Sequence, residues 1–207
     1  MTSDEDKCNI DGMNSFERLV KRTSDIAFSL LGMIILSPLF LIIYVAIKRE
    51  GGPAIYSQER IGKGGKPFMI YKFRTMKVDA EEEGVALSSK DDDRLTGVGT
   101  FLRAYHLDEL PQLWNVLRGD MSFVGYRPER KYFIDKIMEH NPDYRLLYVS
   151  RPGITSYATI HNGYTDTMEK MLKRLDYDLD YLRHRSLFID LKIICTTVFS
   201  IVGGKKL

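Results

Sequence analysis

The sequence predicts an α+β fold that is mainly helical. Three observations carry this reading. An uncharged run, Ile26–Ile47, is interrupted by Ser37-Pro38 and reads as helix–break–helix. Two short apolar stretches flank the turn Gly62-Lys63-Gly64-Gly65 and read as a small β element. The second half of the chain carries amphipathic segments at helical spacing with start and stop residues at their ends. A length of 207 residues leaves room for one sizeable domain, or for one domain plus a membrane element. The net charge of +2 gives no bulk attraction to nucleic acid or to any strongly acidic partner. Cys8 and Cys195 form no spacing pattern, so neither a disulfide framework nor a zinc site is expected, and a reducing compartment fits.

Residues 1–15 are polar and expected to be loose, and Phe16–Ser24 reads as a basic helical lead-in suited to lipid headgroups. The apolar run is free of charge over about 22 residues, roughly 33 Å as a straight helix, long enough to span a bilayer. Lys21-Arg22 precede it and Lys48-Arg49 follow it, whereas a spanning helix usually keeps its positive excess on one side. Pro38 predicts a kink, and Ser37 can return a hydrogen bond to the freed carbonyls. A single span and a re-entrant hairpin are both open on these grounds.

Gly51-Gly52-Pro53 breaks the chain, and Ala54–Tyr56 and Phe68–Phe73 read as the two strands. Asp79–Asp93 is acidic and reads as a surface loop with a little helix. Leu110, Leu113, Trp114 and Leu117 recur at i, i+3, i+4 and i+7, which predicts a helix with one apolar face. Pro111 is tolerated in its first turn and Gly119 stops it, so Asp108 and Glu109 should lie at its N-terminus. Glu129–His140 reads as an amphipathic helix ended by Asn141-Pro142, and Thr167–His184 as a charged helix whose alternating charges form a solvated face. Leu187–Val202 is short for a span and is expected to lie in an interface or in the core, with Lys205 and Lys206 at headgroups.

Several signatures of chemistry are absent. Gly62–Lys66 lacks phosphate-loop spacing, and neither HExxH nor GxSxG occurs. His106, His140, His161 and His184 are scattered, as structural or exposed histidines are. Asp91-Asp92-Asp93 reads as solvated loop. The pair Asp108-Glu109 remains, with Lys72, Arg74, Arg103, Arg127 and Arg151. Arg127-Pro128 and Arg151-Pro152-Gly153 set a guanidinium in a rigid turn, which suits bidentate phosphate recognition. Taken singly, each arginine reads more readily as a surface ion pair, and the carboxylates as a helix cap. A carboxylate among phosphates calls for a divalent cation, and Mg²⁺ is the natural choice.

These residues resemble the bacterial sugar transferases, the monotopic phosphoglycosyl transferases, over Lys21–Gly203. The resemblance rests on Lys21-Arg22-x-x-Asp25, Ser37-Pro38, Gln58-x-Arg60-x-Gly62 and Tyr71-Lys72-Phe73-Arg74-Thr75-Met76. It continues through Leu107–Leu113, Arg118-Gly119-Asp120-Met121-Ser122, Gly125-x-Arg127-Pro128 and Arg151-Pro152-Gly153-Ile154-Thr155. It implies transfer of a phosphosugar from a UDP-sugar to polyprenol (undecaprenyl) phosphate with release of UMP. It assigns Asp108 as nucleophile and Mg²⁺-proximal residue, and Glu109 as a partner that orients or handles protons. Lys72, Arg74 and Arg103 are implied phosphate ligands, and Arg127 and Arg151 lie near nucleotide or intermediate. Ser37-Pro38 is implied to make the membrane helix re-entrant.

The implied organisation is a lead-in over 1–24, a re-entrant membrane helix over 25–49 and a cytoplasmic catalytic domain with interfacial helices over 50–207. That places the chain at the cytoplasmic face of the bacterial inner membrane, where surface association makes a homodimer plausible. Tyr126 stands where the family often has proline, and Ser156-Tyr157 where it has Gly-Trp. Two other readings use the same residues. A non-catalytic membrane-anchored scaffold explains the apolar run but not the carboxylate pair, and a hydrolase differs in its product.

Overall fold

The computed structural model describes residues 10–78, 80, 92–163 and 165–203. Helix α1 covers Ser15–Ile35 and α2 covers Ser37–Arg49. Asn14 and Glu17 cap α1 reciprocally: the Asn14 side chain accepts the Glu17 N–H at 2.9 Å, and Glu17 Oε2 accepts the Asn14 N–H at 3.1 Å. The basic lead-in is therefore the opening of the same helix as the apolar run. Pro38 falls in the first turn of α2, where its missing N–H costs nothing, and Ser37 Oγ donates to the Ile34 carbonyl at 2.8 Å. The two helices bend by 62° at this break, and no single described helix is long and apolar enough to cross a membrane. Phe28, Ile34, Ile35, Leu41 and Ile42 are 61–66% exposed, so the bent pair keeps an apolar face that the rest of the protein leaves uncovered.

The Lys21-Arg22-x-x-Asp25 motif faces inward. Arg22 donates to the Val116 and Leu117 carbonyls at 2.7 and 2.9 Å, Asp25 Oδ1 accepts the Phe123 N–H at 3.2 Å, and Lys21 pairs with Asp190. Strands β1 (Ile55–Ile61) and β2 (Pro67–Phe73) form the expected antiparallel hairpin, with Ile61 opposite Pro67. Strand β1 runs further than Ala54–Tyr56 because pairing with β2 carries Gln58, Glu59 and Arg60, whose side chains give little apolar signal.

Helix α3 (Gly97–Ala104) leads toward the carboxylate pair, and α4 (Gln112–Arg118) follows it. Gly119 ends α4 at φ +93°, the left-handed stop that the sequence calls for. Strands β3 (Ser122–Val124) and β4 (Gly153–Thr155) form a parallel pair absent from the sequence reading, since three residues carry no readable period.

Helix α5 (Lys131–His140) ends where predicted. A 3₁₀ stretch over Pro142–Val149, α6 (Tyr157–Asn162), α7 (Met168–His184) and α8 (Leu187–Val202) complete the order. The main core lies between α5, the 3₁₀ stretch and α7, around Tyr126, Ile134, Ile137, Leu147, Leu175 and Leu182. Arg174 and Asp178 of α7 are buried, which corrects the view of its charges as a solvated face. In α8, Asp190 turns inward to Lys21 and the Tyr181 hydroxyl, while Phe188 and Phe199 are 76% exposed. One face of α8 thus packs and the other is apolar and open. Cys8, Lys205, Lys206 and most of the acidic segment lie outside the described residues. Within that segment Asp92 is buried and pairs with Arg94 at 2.7 Å.

Candidate active site

His106 stands at φ +54°, the one non-glycine in the left-handed region among the described residues. It turns the chain into a single 3₁₀ turn, Leu107–Glu109, ahead of α4. The carboxylates are therefore not in the first turn of that helix, as the apolar spacing implied. The tight winding persists through Pro111, with Leu110 N–H bonded to the Leu107 carbonyl and Trp114 N–H to the Pro111 carbonyl, and α4 begins only at Gln112. The field at the pair comes from neighbouring side chains rather than from a helix dipole.

Those side chains arrive from three elements. Lys72 of β2 donates to Glu109 Oε1 at 2.6 Å, and Arg127 Nη2 lies 3.7 Å from the same oxygen. Arg103 of α3 is braced by Thr75, whose Oγ1 accepts from Arg103 Nε at 3.1 Å. That brace needs Gly99: a Cβ there would fall 1.9 Å from the Thr75 carbonyl oxygen, so only glycine lets α3 seat against Thr75.

The two acids live in different environments. Burial alone would raise Glu109, but Lys72 and Arg127 more than offset it and hold the carboxyl at about 2. Burial pushes Asp108 up; Lys72 and Arg103 pull against it and the Glu109 charge adds to it. Asp108 is only 7% exposed, and its carboxylate makes no hydrogen bond or ion pair with any described residue. A buried acid without a partner, facing cations, is a candidate for chemistry rather than architecture.

The structure thus brings Asp108, Glu109, Lys72, Arg103 and Arg127 together. Arg74 points elsewhere: its guanidinium is buried and donates to the Gly51 carbonyl at the end of α2. Arg151 donates to the Gly119 carbonyl at 2.8 Å and lines a different cavity. Trp114, expected on the packed face of α4, is 46% exposed. With Met33, Phe40, Ile55, Tyr71 and Pro111 it lines an apolar cleft of about 170 Å³ that runs from the helix break to the residue after Leu110.

Sequence reasoning passed over Asn115. It is fully buried, donates to the Met69 carbonyl at 2.7 Å and accepts the Tyr71 N–H at 3.1 Å, and so fixes β2 with Lys72 against α4. An amide among apolar helix residues was the available signal. The departures from the family pattern have local roles: Tyr126 is buried in the core, Ser156 accepts the Thr159 N–H at 2.9 Å to cap α6, and the Tyr157 ring lies 4.2 Å from that of His161.

No group of three or more His, Cys, Asp or Glu side chains converges among the described residues. What is present, one unpaired carboxylate beside a committed one, fits a magnesium ion that takes a single protein ligand and completes its shell with water and substrate phosphates.

A buried carboxylate left free beside phosphate-suited cations suits a phosphate-handling protein, and the uncovered apolar face of the bent helix pair suits an apolar surface. Comparison narrows the class: the chain belongs to the bacterial sugar transferase family, which it matches over residues 16–204. It is 45% identical over 190 residues to the UDP-glucose:undecaprenyl-phosphate glucose-1-phosphate transferase of Klebsiella pneumoniae, covering 90% of this chain and 41% of that protein. It is 44% identical over 187 residues to the enzyme of the same name from Caulobacter vibrioides, covering 89% and 70%. It is 38% identical over 186 residues to the UDP-N-acetylgalactosamine-undecaprenyl-phosphate N-acetylgalactosaminephosphotransferase of Aeromonas hydrophila, covering 89% and 44%. The chain therefore spans less than half the length of two of these relatives.

Proposed function

We propose that the chain transfers a phosphosugar from a UDP-sugar to undecaprenyl phosphate, releasing UMP, with Asp108 as covalent nucleophile. The observation that carries this is the free, buried Asp108 carboxylate beside Lys72 and Arg103. In the first step an Asp108 oxygen bonds to the sugar-bearing phosphorus as the bond to the UMP oxygen breaks, and the electron pair leaves with UMP. In the second step a phosphate oxygen of the polyprenol phosphate attacks the same phosphorus, the bond to Asp108 breaks, and a polyprenol diphosphosugar results. Lys72, Arg103 and Arg127 stabilise charge on the phosphoryl oxygens. Glu109, held ionised far below neutrality, does not shuttle protons; it anchors Lys72 and Arg127. Asp108 is the residue that would hold Mg²⁺, whose chemistry when bound is to offset the negative charge of the phosphates.

The apolar cleft between Met33 and Pro111 supports a lipid acceptor, since residues on either side of the helix break line it together with Pro111, two residues beyond Glu109. The bend, the basic flanks and the uncovered apolar face support a re-entrant hairpin at the cytoplasmic face of the bacterial inner membrane. Cysteines introduced within residues 1–20 and 60–70 test this topology: labelling from one face supports it, and labelling from opposite faces rejects it. A panel beginning with UDP-glucose and UDP-N-acetylgalactosamine, assayed for UMP release with and without undecaprenyl phosphate, tests the reaction. Sustained UMP formation is expected to need the acceptor, with at most about one equivalent per protein released without it as the covalent intermediate forms; release of free sugar phosphate would indicate a hydrolase.

A further inference from the structure

A second cavity, of about 80 Å³, lies between the first turns of α1, the β-hairpin turn and the α7–α8 junction. Arg18, Lys21, Arg22, Lys63, Arg151 and Arg185 line it, and none of the residues around Asp108 does. Three of these cations are neutralised: Lys21 by Asp190, and Arg18 and Arg185 by Asp11. The other three, Arg22, Lys63 and Arg151, make no ion pair with a described residue; Asp25 also lines the cavity and its charge acts on Arg22 and Arg151, so positive charge remains in excess. Arg22 spends its guanidinium on the Val116 and Leu117 carbonyls, and Arg151 spends Nε on Gly119, which leaves the Arg151 Nη donors unspent. The Lys63 ammonium makes no hydrogen bond with a described residue, and burial, then Arg151, Arg185 and Arg18, disfavour its charge, with Asp11 opposing them. On the cavity wall Asp25 Oδ1 accepts the Phe123 N–H at 3.2 Å, and the Asp25 carboxylate is favoured by the Lys21 charge and by Ser122. A concentration of unneutralised cations with unspent donors is unfavourable when empty and is relieved by an anion.

We propose that this cavity is a binding site for one phosphate group, separate from the Asp108 site. Its volume matches a single tetrahedral oxyanion, roughly that of two to three waters. Guanidinium forks and an ammonium are the donors such a group takes. Lys63 reaches it from the glycine turn and Arg151 from the turn before β4. The phosphate can belong to a soluble ester or to a lipid headgroup, since the cavity opens beside the start of α1, where Phe16 and Leu19 are 71% and 65% exposed. The assignment does not depend on the reaction proposed for Asp108.

Lys63 is the residue to change, because it sits exposed in a turn. Full-length protein in neutral detergent is titrated with inorganic phosphate and followed by calorimetry. It is then tested for flotation with vesicles of phosphatidylcholine alone or of equimolar phosphatidylcholine and phosphatidylglycerol. Lys63→Ala should weaken phosphate binding about tenfold, the loss of one charge-assisted contact. Lys63→Arg should restore it, and Lys66→Ala, in the same turn but off the cavity, should leave it intact. Retention of the signal in Arg103→Ala places it outside the Asp108 site. A Lys63-dependent effect on phosphatidylglycerol flotation alone assigns the group to a lipid, and an effect on inorganic phosphate assigns it to a soluble ester. Equal binding of both probes by Lys63→Ala and the unmodified chain, with thermal unfolding unchanged, would overturn the proposal.

Discussion

Two of the places where the protein buries carboxylates among cations are built to different ends. Around Glu129 the charges close on themselves: Arg174 donates to Oε1 at 2.7 Å and Arg60 to Oε2 at 3.1 Å. Burial would raise Glu129, but Arg174 and Arg60 hold it below the usual carboxylate range. Around Asp108 the charges do not close. Glu109 takes Lys72 and Arg127, and Asp108 is left with a raised pKa and no bonded partner among the described residues. The same residue types therefore make a joint in one case and a reactive centre in the other. What separates them is whether both oxygens of the central carboxylate, Glu129 or Asp108, are already bonded.

Asp108→Asn tests the open cluster most severely. Turnover should fall at least about a thousandfold while the fold persists, because no structural bond is lost. Thermal melting alongside UMP release separates the two, and loss of the fold would mean that Asp108 is a joint after all. Glu129→Gln should do the reverse. It leaves Arg60 and Arg174 buried without their counter-charge, and stability should drop by about 3–5 kcal/mol in chemical unfolding. Glu109→Gln lies between the two. It frees Lys72 and Arg127 from their anchor, and kcat should fall by about ten- to a hundredfold with little change in melting temperature.

The smallest effects are in pH. Asp108 must be ionised to attack, and its pKa is raised, so single-turnover UMP release should be lost as pH falls through that raised value; Glu109, at about 2, adds no second limb. In the closed cluster, burial raises Asp178 to about 7. Its contribution to stability is full below the unfolded-state value near 3.9 and is lost as pH rises through about 7. Asp178→Asn cannot ionise, so it should stabilise the protein by on the order of 1–3 kcal/mol at about pH 8 and by little at about pH 5.

Much of the open cluster was legible because it is local. Leu107-Asp108-Glu109-Leu110-Pro111 is contiguous, and Lys72, Arg103 and Arg127 stand in turns or at element ends that motif reasoning reaches. The winding was not legible: the i, i+3, i+4 spacing cannot tell a helix from a 3₁₀ turn running into one, and so the pair was set one element too late. Trp114 fits an apolar stripe by spacing, yet it faces a cleft because the adjoining helices leave that side open. The closed cluster was missed altogether. Glu129, Arg174 and Asp178 meet only through packing of distant segments, and in sequence they look like the charges of any exposed helix. Arg74 and Arg151 match motif positions well, but spacing does not reveal which cavity a side chain enters.

The most direct test is to trap the intermediate. The protein is incubated with a UDP-sugar and Mg²⁺ without polyprenol phosphate, quenched, and mapped by peptide mass spectrometry. A phosphosugar adduct on Asp108, absent in Asp108→Asn and discharged by undecaprenyl phosphate, is the predicted result. An adduct on another residue, or UMP release that requires both substrates and leaves Asp108 unmodified, would contradict it.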